Sequence, residues 1–241
     1  MQSSFPILIL NARPAAGKSE ITHALREVPD QERLDRFHIG PMHILDDFPM
    51  LWTWFEEDLL LETVFQRPRL YTTPDGYFLT DDYWHLLIRR LAQEYEKYRR
   101  DNEGIYTVVI EFSRGAAHGG YRQAYPHLGK TILSQAVSLY IQVSYAESLR
   151  KNRTRYNPDR PDSILEHGLS DEKMERLYEE DDWELFATAP SGYLESTGVS
   201  IPYFTFENED DVTTGGGERL LSRLEAACSR LWNLQQSRGT V

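Results

Sequence analysis

The sequence is poor in cysteine, in long apolar runs and in positive charge. Its single cysteine, Cys228, excludes a disulfide within the chain and a zinc site built from cysteines. No apolar run approaches the ~18 residues that cross a bilayer, so we expect no membrane span. The apolar stretch at residues 5–10 is too short for a secretion signal and no basic segment precedes it, so we expect a cytoplasmic protein.

Acidic residues outnumber basic ones, 38 to 26, which gives the chain of 241 residues a formal net charge of −12. Such a charge repels a phosphate backbone on average, so general coating of nucleic acid is excluded, although a local basic site is not. The densest basic cluster consists of Arg150, Lys151, Arg153, Arg155 and Arg160. Residues 171–184 hold eight acids, and we assign that run no catalytic role.

Strand and helix patterns alternate along the whole chain. Short apolar runs predict strands at residues 5–10, 106–112, 137–143 and 201–206, with a weaker candidate at 34–45. Helical patterns cover residues 19–28, 48–65, 80–100, 119–135, 146–155, 170–186 and 218–236. This alternation predicts an α/β fold with a parallel sheet and helices on both faces, a three-layer sandwich. No Gly/Ser-rich linker divides the chain, so we expect one domain over residues 1–241.

A glycine-containing turn with a lysine lies directly after the first predicted strand and before a helix. Its letters, A-R-P-A-A-G-K-S, fit the Walker A pattern G-x4-G-K-[ST] with alanine in the first glycine position. Backbone N–H groups in such a turn bind phosphate oxygens, the lysine reaches the β- and γ-phosphates, and the serine hydroxyl binds Mg²⁺. The residues assigned to nucleotide binding are Ala12, Arg13, Pro14, Ala15, Ala16, Gly17, Lys18 and Ser19.

Two points stay open for this turn. The alternative is a surface turn with an incidental lysine. If the first position needs a positive φ, the Cβ of Ala12 costs about 1 kcal/mol or more and weakens nucleotide binding.

The strand, turn and helix together resemble the P-loop small-molecule kinases, which include nucleoside and nucleotide kinases and related antibiotic phosphotransferases. The resemblance implies a five-stranded parallel sheet in the order 2-3-1-4-5, with the site at the carboxyl ends of the strands. It also implies ATP and Mg²⁺ as cofactors. A lid would cover residues 150–185, and a helical acceptor-side insertion would cover residues 48–103.

Acidic residues follow two of the predicted strands. Asp46 and Asp47 come after the second strand, where a carboxylate orients the acceptor hydroxyl and takes its proton; we favour Asp47 as catalytic, with Asp46 in the substrate site. The alternative is that Asp47 only caps the following helix. Glu111, near the end of a buried strand, is the expected Mg²⁺ ligand together with Ser19.

Other candidates are spread along the chain. By resemblance to deoxynucleoside kinases, with one extra residue in the motif, Arg114 belongs to the substrate site. Trp52 would line an acceptor pocket by stacking, although packing in the core is its alternative use. In the lid, Arg153 is the first choice for stabilising the transition state, followed by Arg150 and Arg155 at the nucleotide. By resemblance to adenylate-kinase-like proteins, Asn208, in the turn after the last strand, would bind the base, and an ordinary loop is the alternative.

The leading hypothesis is an ATP-dependent kinase acting on a small metabolite, with Lys18, Asp47 and Arg153 as its catalytic residues. A nucleotide-binding regulatory protein or a slow ATPase without a small-molecule acceptor is the alternative, and an interaction protein with an accidental loop is the third. Beyond the nucleotide and the unknown acceptor we expect neither nucleic acid nor a membrane as a partner. The oligomeric state, a homodimer included, stays open.

Overall fold

The computed structural model describes residues 3–155, 159 and 168–238. Its strands are β1 (Ile7–Ala12), β2 (Met42–Asp46), β3 (Thr107–Phe112), β4 (Ala136–Gln142), β5 (Ser191–Ser196) and β6 (Val199–Glu207). Its α-helices are α1 (Lys18–Glu27), α2 (Asp30–Phe37), α3 (Asp47–Thr63), α4 (Asp82–Asp101), α5 (Gly120–Leu128), α6 (Lys130–Leu133), α7 (Tyr145–Arg155), α8 (Asp171–Tyr178), α9 (Trp183–Phe186), α10 (Val212–Gly215) and α11 (Gly217–Ser237). A short 3₁₀ helix spans Ala116–His118.

The strands form one sheet in the order β2-β3-β1-β4-β6-β5. The first five of these pair in parallel, and β5 pairs antiparallel with β6 at the edge. The predicted parallel order 2-3-1-4-5 is therefore confirmed, because β6 is the fifth parallel strand in the chain. The sheet has one strand more than predicted.

Helices cover both faces of the sheet, which confirms the predicted sandwich. Side chains alternate along β1, so Leu8 and Leu10 enter the apolar core beside α1 and α11, whereas Ile7 and Ile9 enter the core beside α4 and α5. Every residue of β1 and β3 is buried, as expected of central parallel strands.

The extra strand β5 is half exposed and joins β6 through a tight turn. Thr197 and Gly198 both have positive φ, at 52° and 73°, as a type I′ hairpin turn requires. The sequence S-G-Y-L-E-S alternates in burial but is not apolar overall, so no apolar run predicts this strand.

Two element predictions are wrong in part. Residues 34–37, predicted as strand, belong to helix α2, and only residues 42–46 form β2. The helix predicted over residues 170–186 is broken at residues 179–182 into α8 and α9. Carboxylates in this break act as caps: Asp181 accepts from the Trp183 N–H, and Asp182 accepts from the Tyr121 N–H at the start of α5.

No helix among the described residues is both long enough and apolar enough to cross a membrane.

Candidate functional site

A cavity of about 1120 Å³ opens at the carboxyl ends of β1, β2 and β3. The parallel register sets Asp46 of β2 directly beside Glu111 of β3, and Glu111 beside Leu10 of β1. Since β1 leads into the glycine-containing turn, residues 12–19 and both acids reach the same edge of the sheet. This is the edge where open α/β sheets bind ligands.

Two residues give the glycine-containing turn at residues 12–19 its shape. Gly17 caps α1 at φ 117°, and a Cβ there would lie 2.5 Å from the Thr213 hydroxyl, so only glycine fits. Ala15 also has a positive φ, of 57°. Ala12 does not: it is the buried last residue of β1, so the alanine in the first position of the pattern strains nothing.

Hydrogen bonds from three sides hold the turn in place. The carbonyl of Ala12 accepts from the Tyr121 hydroxyl at 3.0 Å, and that of Pro14 accepts from the Ser148 hydroxyl at 2.7 Å. The fully buried Asn208 donates from Nδ2 to the Ala16 carbonyl at 2.9 Å.

The other bonds of Asn208 show what its amide does. Its Nδ2 also donates to the Thr213 hydroxyl at 2.8 Å, while its Oδ1 accepts from the Thr213 N–H at 3.2 Å. Both ends of the amide are occupied, and the residue does not line the cavity. Asn208 therefore braces the turn, and the structure does not place it where a base would bind.

Arg13 does not line the cavity. Its guanidinium pairs with Asp181 at 2.8 Å and donates to the carbonyls of Tyr178 and Glu179 at the end of α8. It also donates to the Val143 carbonyl at 3.2 Å. Arg13 thereby ties the turn to the end of α8.

Lys18 lies at the start of α1, half buried in the cavity wall. Its ammonium donates to the Ser113 hydroxyl at 2.8 Å. Burial lowers the pKa of Lys18, whereas the neighbouring carboxylates, Glu111 above all and then Asp46, act against that shift.

Asp47 and Arg114 form a buried ion pair, with 9% and 1% of their side chains exposed and 2.7 Å between Oδ2 and Nη1. Arg114 also donates to the Trp84 carbonyl at 3.0 Å. Burial raises the pKa of Asp47, and the Arg114 guanidinium acts against that rise. Asp46 has a different role, because it accepts from the Phe48 N–H at 3.0 Å and so caps α3. The predicted capping of this helix is thus performed by Asp46.

Glu111 and Ser19 both line the cavity, and their oxygens suit Mg²⁺. The Glu111 carboxylate accepts no hydrogen bond from any residue that the structure describes, and burial raises its pKa to about 7. The described part of the chain has no group of three His, Cys, Asp or Glu that could hold a metal ion. That fits Mg²⁺, which is usually bound by one or two protein carboxylates while substrate phosphates and water complete its shell.

The predicted lid cations separate into different roles. Arg150 and Lys151 both pair with Asp211, at 3.1 and 2.6 Å, and line the cavity. Arg153 pairs with Asp171 at 2.6 Å, is exposed and is not part of the cavity wall, so the structure does not bring it to the other candidates. Arg155 does line the cavity.

Arg160 lies outside the described residues, as does most of residues 156–167.

The far side of the cavity is aromatic. Trp52 lines it and donates from Nε1 to Glu56 at 2.8 Å. Phe55 and Phe78 also line it, with ring centres 5.7 Å apart. The loop that carries Phe78 is anchored by the fully buried Asp58, which accepts hydrogen bonds from three backbone N–H groups and one hydroxyl of residues 70–72.

Sequence reasoning missed two cations in this cavity. Lys173 and Arg176 of α8 both line it and lie over the ring of Tyr77, at 5.4 and 4.0 Å from the ring centre. Their spacing of three residues on a helix was a usable signal, because it puts both on one face. The many acidic residues around Lys173 and Arg176 make this spacing hard to recognise in the sequence.

The sequence matches no protein-family model and no curated protein. Solved structures do resemble it. Kti12 of Chaetomium thermophilum in complex with ADP-AlF3 is 12% identical with a TM-score of 0.50, and a gluconokinase from Sinorhizobium meliloti 1021 is 11% identical with a TM-score of 0.48. Each comparison covers 95% of this chain and 98% of the other.

The chain shares the overall α/β fold of the Kti12 structure. At these identities the likeness concerns the fold alone, so function has to be argued from the cavity.

Proposed function

We propose that this chain is an ATP-dependent phosphotransferase whose acceptor is a small molecule. One observation carries the proposal: the P-loop, the acids at the strand ends and an aromatic wall all line a single cavity of about 1120 Å³. A pocket for one ligand usually measures about 300–1,000 Å³, so this cavity has room for a nucleotide and a second molecule side by side.

The nucleotide side is the P-loop. The N–H groups of residues 15–19 bind the phosphates, and the N-terminus of α1 adds its positive dipole end. Lys18 neutralises charge on the β- and γ-phosphates. Ser19 and Glu111 hold Mg²⁺, which supplies charge neutralisation on the phosphates when it is bound.

The acceptor side begins at the ends of β2 and β3. Asp47, held by Arg114 at 2.7 Å, orients the acceptor hydroxyl and accepts its proton as the hydroxyl oxygen bonds to the γ-phosphorus of ATP and the bond from that phosphorus to the leaving ADP breaks. Asp46 lies next to it and caps α3, so it supports the position of Asp47. In phosphoryl transfer the protein does little covalent chemistry itself, so positioning of the two reactants supplies most of the rate enhancement.

The lid side is α7. Arg150 and Arg155 line the cavity there, and we assign them the stabilisation of charge on the transferred group. Arg153, the first choice from sequence, is replaced in this proposal because it pairs with Asp171 away from the cavity. Lys151 is held by Asp211 and Thr213 and fixes α7 against the turn at residues 208–213.

A nucleotide-binding protein without a small-molecule acceptor is the second candidate. The observation that favours it is the tight pairing of Asp47 with Arg114, which occupies the carboxylate that would accept a proton. The solved Kti12 structure holds ADP-AlF3, so both candidates agree with a nucleotide on this fold.

The test is transfer of label from γ-labelled ATP to a pool of small hydroxylated and phosphorylated metabolites. We expect a labelled product with the native chain and none with Lys18→Ala. Lys97→Ala, an exposed lysine paired with Glu94 on α4, serves as control and should transfer label normally. Thermal stabilisation by ATP–Mg²⁺ without transfer to any pool would favour the second candidate, and no stabilisation by any nucleotide would contradict both.

A further inference from the structure

Lys173 is a half-buried ammonium in the cavity wall, and no carboxylate of the described residues lies within ion-pair distance of it. Its Nζ lies so close to Gly76 that a Cβ there would approach it to 2.2 Å, and the same Cβ would lie 3.7 Å from the Phe55 ring. Lys173 therefore lies against α3 and the loop that follows it, on the acceptor side. An ammonium on the cavity wall without an ion-pair partner is available to bind an incoming anion.

Arg176, one turn further along α8, is exposed, and it also lines the cavity. Its guanidinium lies 4.0 Å from the centre of the Tyr77 ring and has no ion-pair partner among the described residues. Asp75 is a nearby acid, but it is exposed and its hydrogen-bond partner is Thr73. By contrast, Arg114 and Lys151 in the same cavity have close carboxylates.

His118 adds a neutral donor to the two cations. Its ring is buried and stacks on Trp84, with ring centres 4.0 Å apart. Its Nδ1 accepts from the Gly115 N–H at 3.3 Å, so the ring proton is on Nε2. That Nε2 has no hydrogen-bond partner in the described structure, and His118 lines the cavity.

Within the described part of the chain these three groups are donors that lack an acceptor, and they stand beside flat rings. Phe55, Tyr77 and Phe78 form that wall, and ring faces bind other flat rings by stacking. Glu56, an acid on this wall, already accepts from Trp52. This side of the cavity therefore fits a ligand whose oxygen atoms accept hydrogen bonds.

We propose that the acceptor is a compound with a flat ring and a phosphate or carboxylate group. The anion binds Lys173 and Arg176, with a hydrogen bond from His118, and the ring lies against Phe55, Tyr77 and Phe78. This inference rests on the proposed function only for the presence of an acceptor, because binding can be measured without turnover.

The test is calorimetric binding to the full chain saturated with a non-hydrolysable ATP analogue and Mg²⁺. The probes are matched pairs of aromatic compounds that differ only in the anion, such as uridine 5′-monophosphate with uridine, and 4-(hydroxymethyl)benzoate with 1,4-benzenedimethanol. Phosphates and carboxylates form separate arms, which distinguish the two sources of charge. We expect at least one anionic member to bind about tenfold or more tighter than its neutral partner.

The variant Lys173→Gln with Arg176→Gln should lose that preference and keep its affinity for the ATP analogue. Lys97→Gln with Arg99→Gln removes the same charge from α4 and should keep the preference. If the melting temperature of the double variant falls, Lys173→Gln and Arg176→Gln are tested separately instead. The proposal is overturned if no anionic member binds more tightly than its partner, or if the double variant retains the preference.

The two proposals can fail separately. Transfer of label to neutral acceptors alone would uphold the phosphotransferase and overturn the anion site. A strong anion preference without transfer of label to any acceptor would uphold the anion site and contradict the phosphotransferase.

Discussion

Replacing Arg114 with glutamine leaves the Asp47 carboxylate buried without its counterion. The pair has 1% and 9% of its side chains exposed and is 2.7 Å long, so water cannot take over the role of the guanidinium. Removing one member of a buried ion pair costs about 3–5 kcal/mol. For a chain of this length that corresponds to a melting temperature lower by about 6–20 °C.

The loss of stability should depend on pH, since Asp47 can lose its charge by binding a proton. Burial already raises the pKa of Asp47, and removing Arg114 takes away the charge that opposes the rise. A carboxyl whose folded pKa is raised binds more protons in the folded state, so the variant loses stability as pH rises above the unfolded pKa. The deficit relative to the native chain should therefore be larger at pH 8 than at pH 5.

Urea denaturation at both pH values measures the deficit, with Arg99→Gln as the control. Arg99 pairs with Glu96 on the surface, and its loss should cost less than about 1 kcal/mol at either pH. A deficit for Arg114→Gln below about 1 kcal/mol at pH 8, or one that does not shrink at pH 5, would refute the reasoning.

Two further predictions concern residues of the same cavity. Glu111 has a pKa raised to about 7 from 4.5, so its ionisation destabilises the fold as pH rises through that window. Glu111→Gln should thus be more stable than the native chain at pH 8, by roughly 1–3 kcal/mol, and equal to it at pH 4 in urea denaturation; an equal gain at both pH values would contradict this. Asn208→Ala removes the brace on the Ala16 carbonyl and should weaken ATP and GTP binding by the same factor in calorimetry. A change in the preference between the two nucleotides would show instead that Asn208 contacts the base.

The central sheet could be predicted because its strands have a clear sequence pattern. Residues of β1 and β3 are buried on both faces, so their sequences are mostly apolar, and the P-loop pattern predicts a turn and a helix directly after β1. The edge strand β5 has one exposed face and short polar residues, so no apolar run marks it. Its existence depends on pairing with β6, which is a tertiary contact that local sequence does not encode.

The candidate site, like the sheet, could be predicted only in part from the sequence. The Walker A pattern predicts Lys18, the ends of two strands predict Asp47 and Glu111, and the helical pattern after Asp47 predicts Trp52. All four line the cavity.

Whether a candidate on a helix lines the cavity depends on which face of the helix meets the cavity. Arg153 and Arg155 are two residues apart on α7, and only the second lies on the cavity wall. Which of them faces inward depends on how α7 packs against α8, and the ion pair of Arg153 with Asp171 belongs to that packing. Lys173 is not predicted for a related reason. Composition describes the acidic run as a whole, whereas only one face of α8 meets the cavity.

The most direct measurement is the affinity of the full chain for ATP–Mg²⁺ by calorimetry, with Lys18→Ala beside the native chain. The ammonium of Lys18 would make hydrogen bonds to charged phosphate oxygens, each worth about 1.5–3 kcal/mol. We predict that the native chain binds ATP–Mg²⁺ and that Lys18→Ala binds it roughly 10- to 150-fold more weakly. Equal affinity of the two, or no binding by the native chain, would contradict the assignment of this turn as the phosphate site.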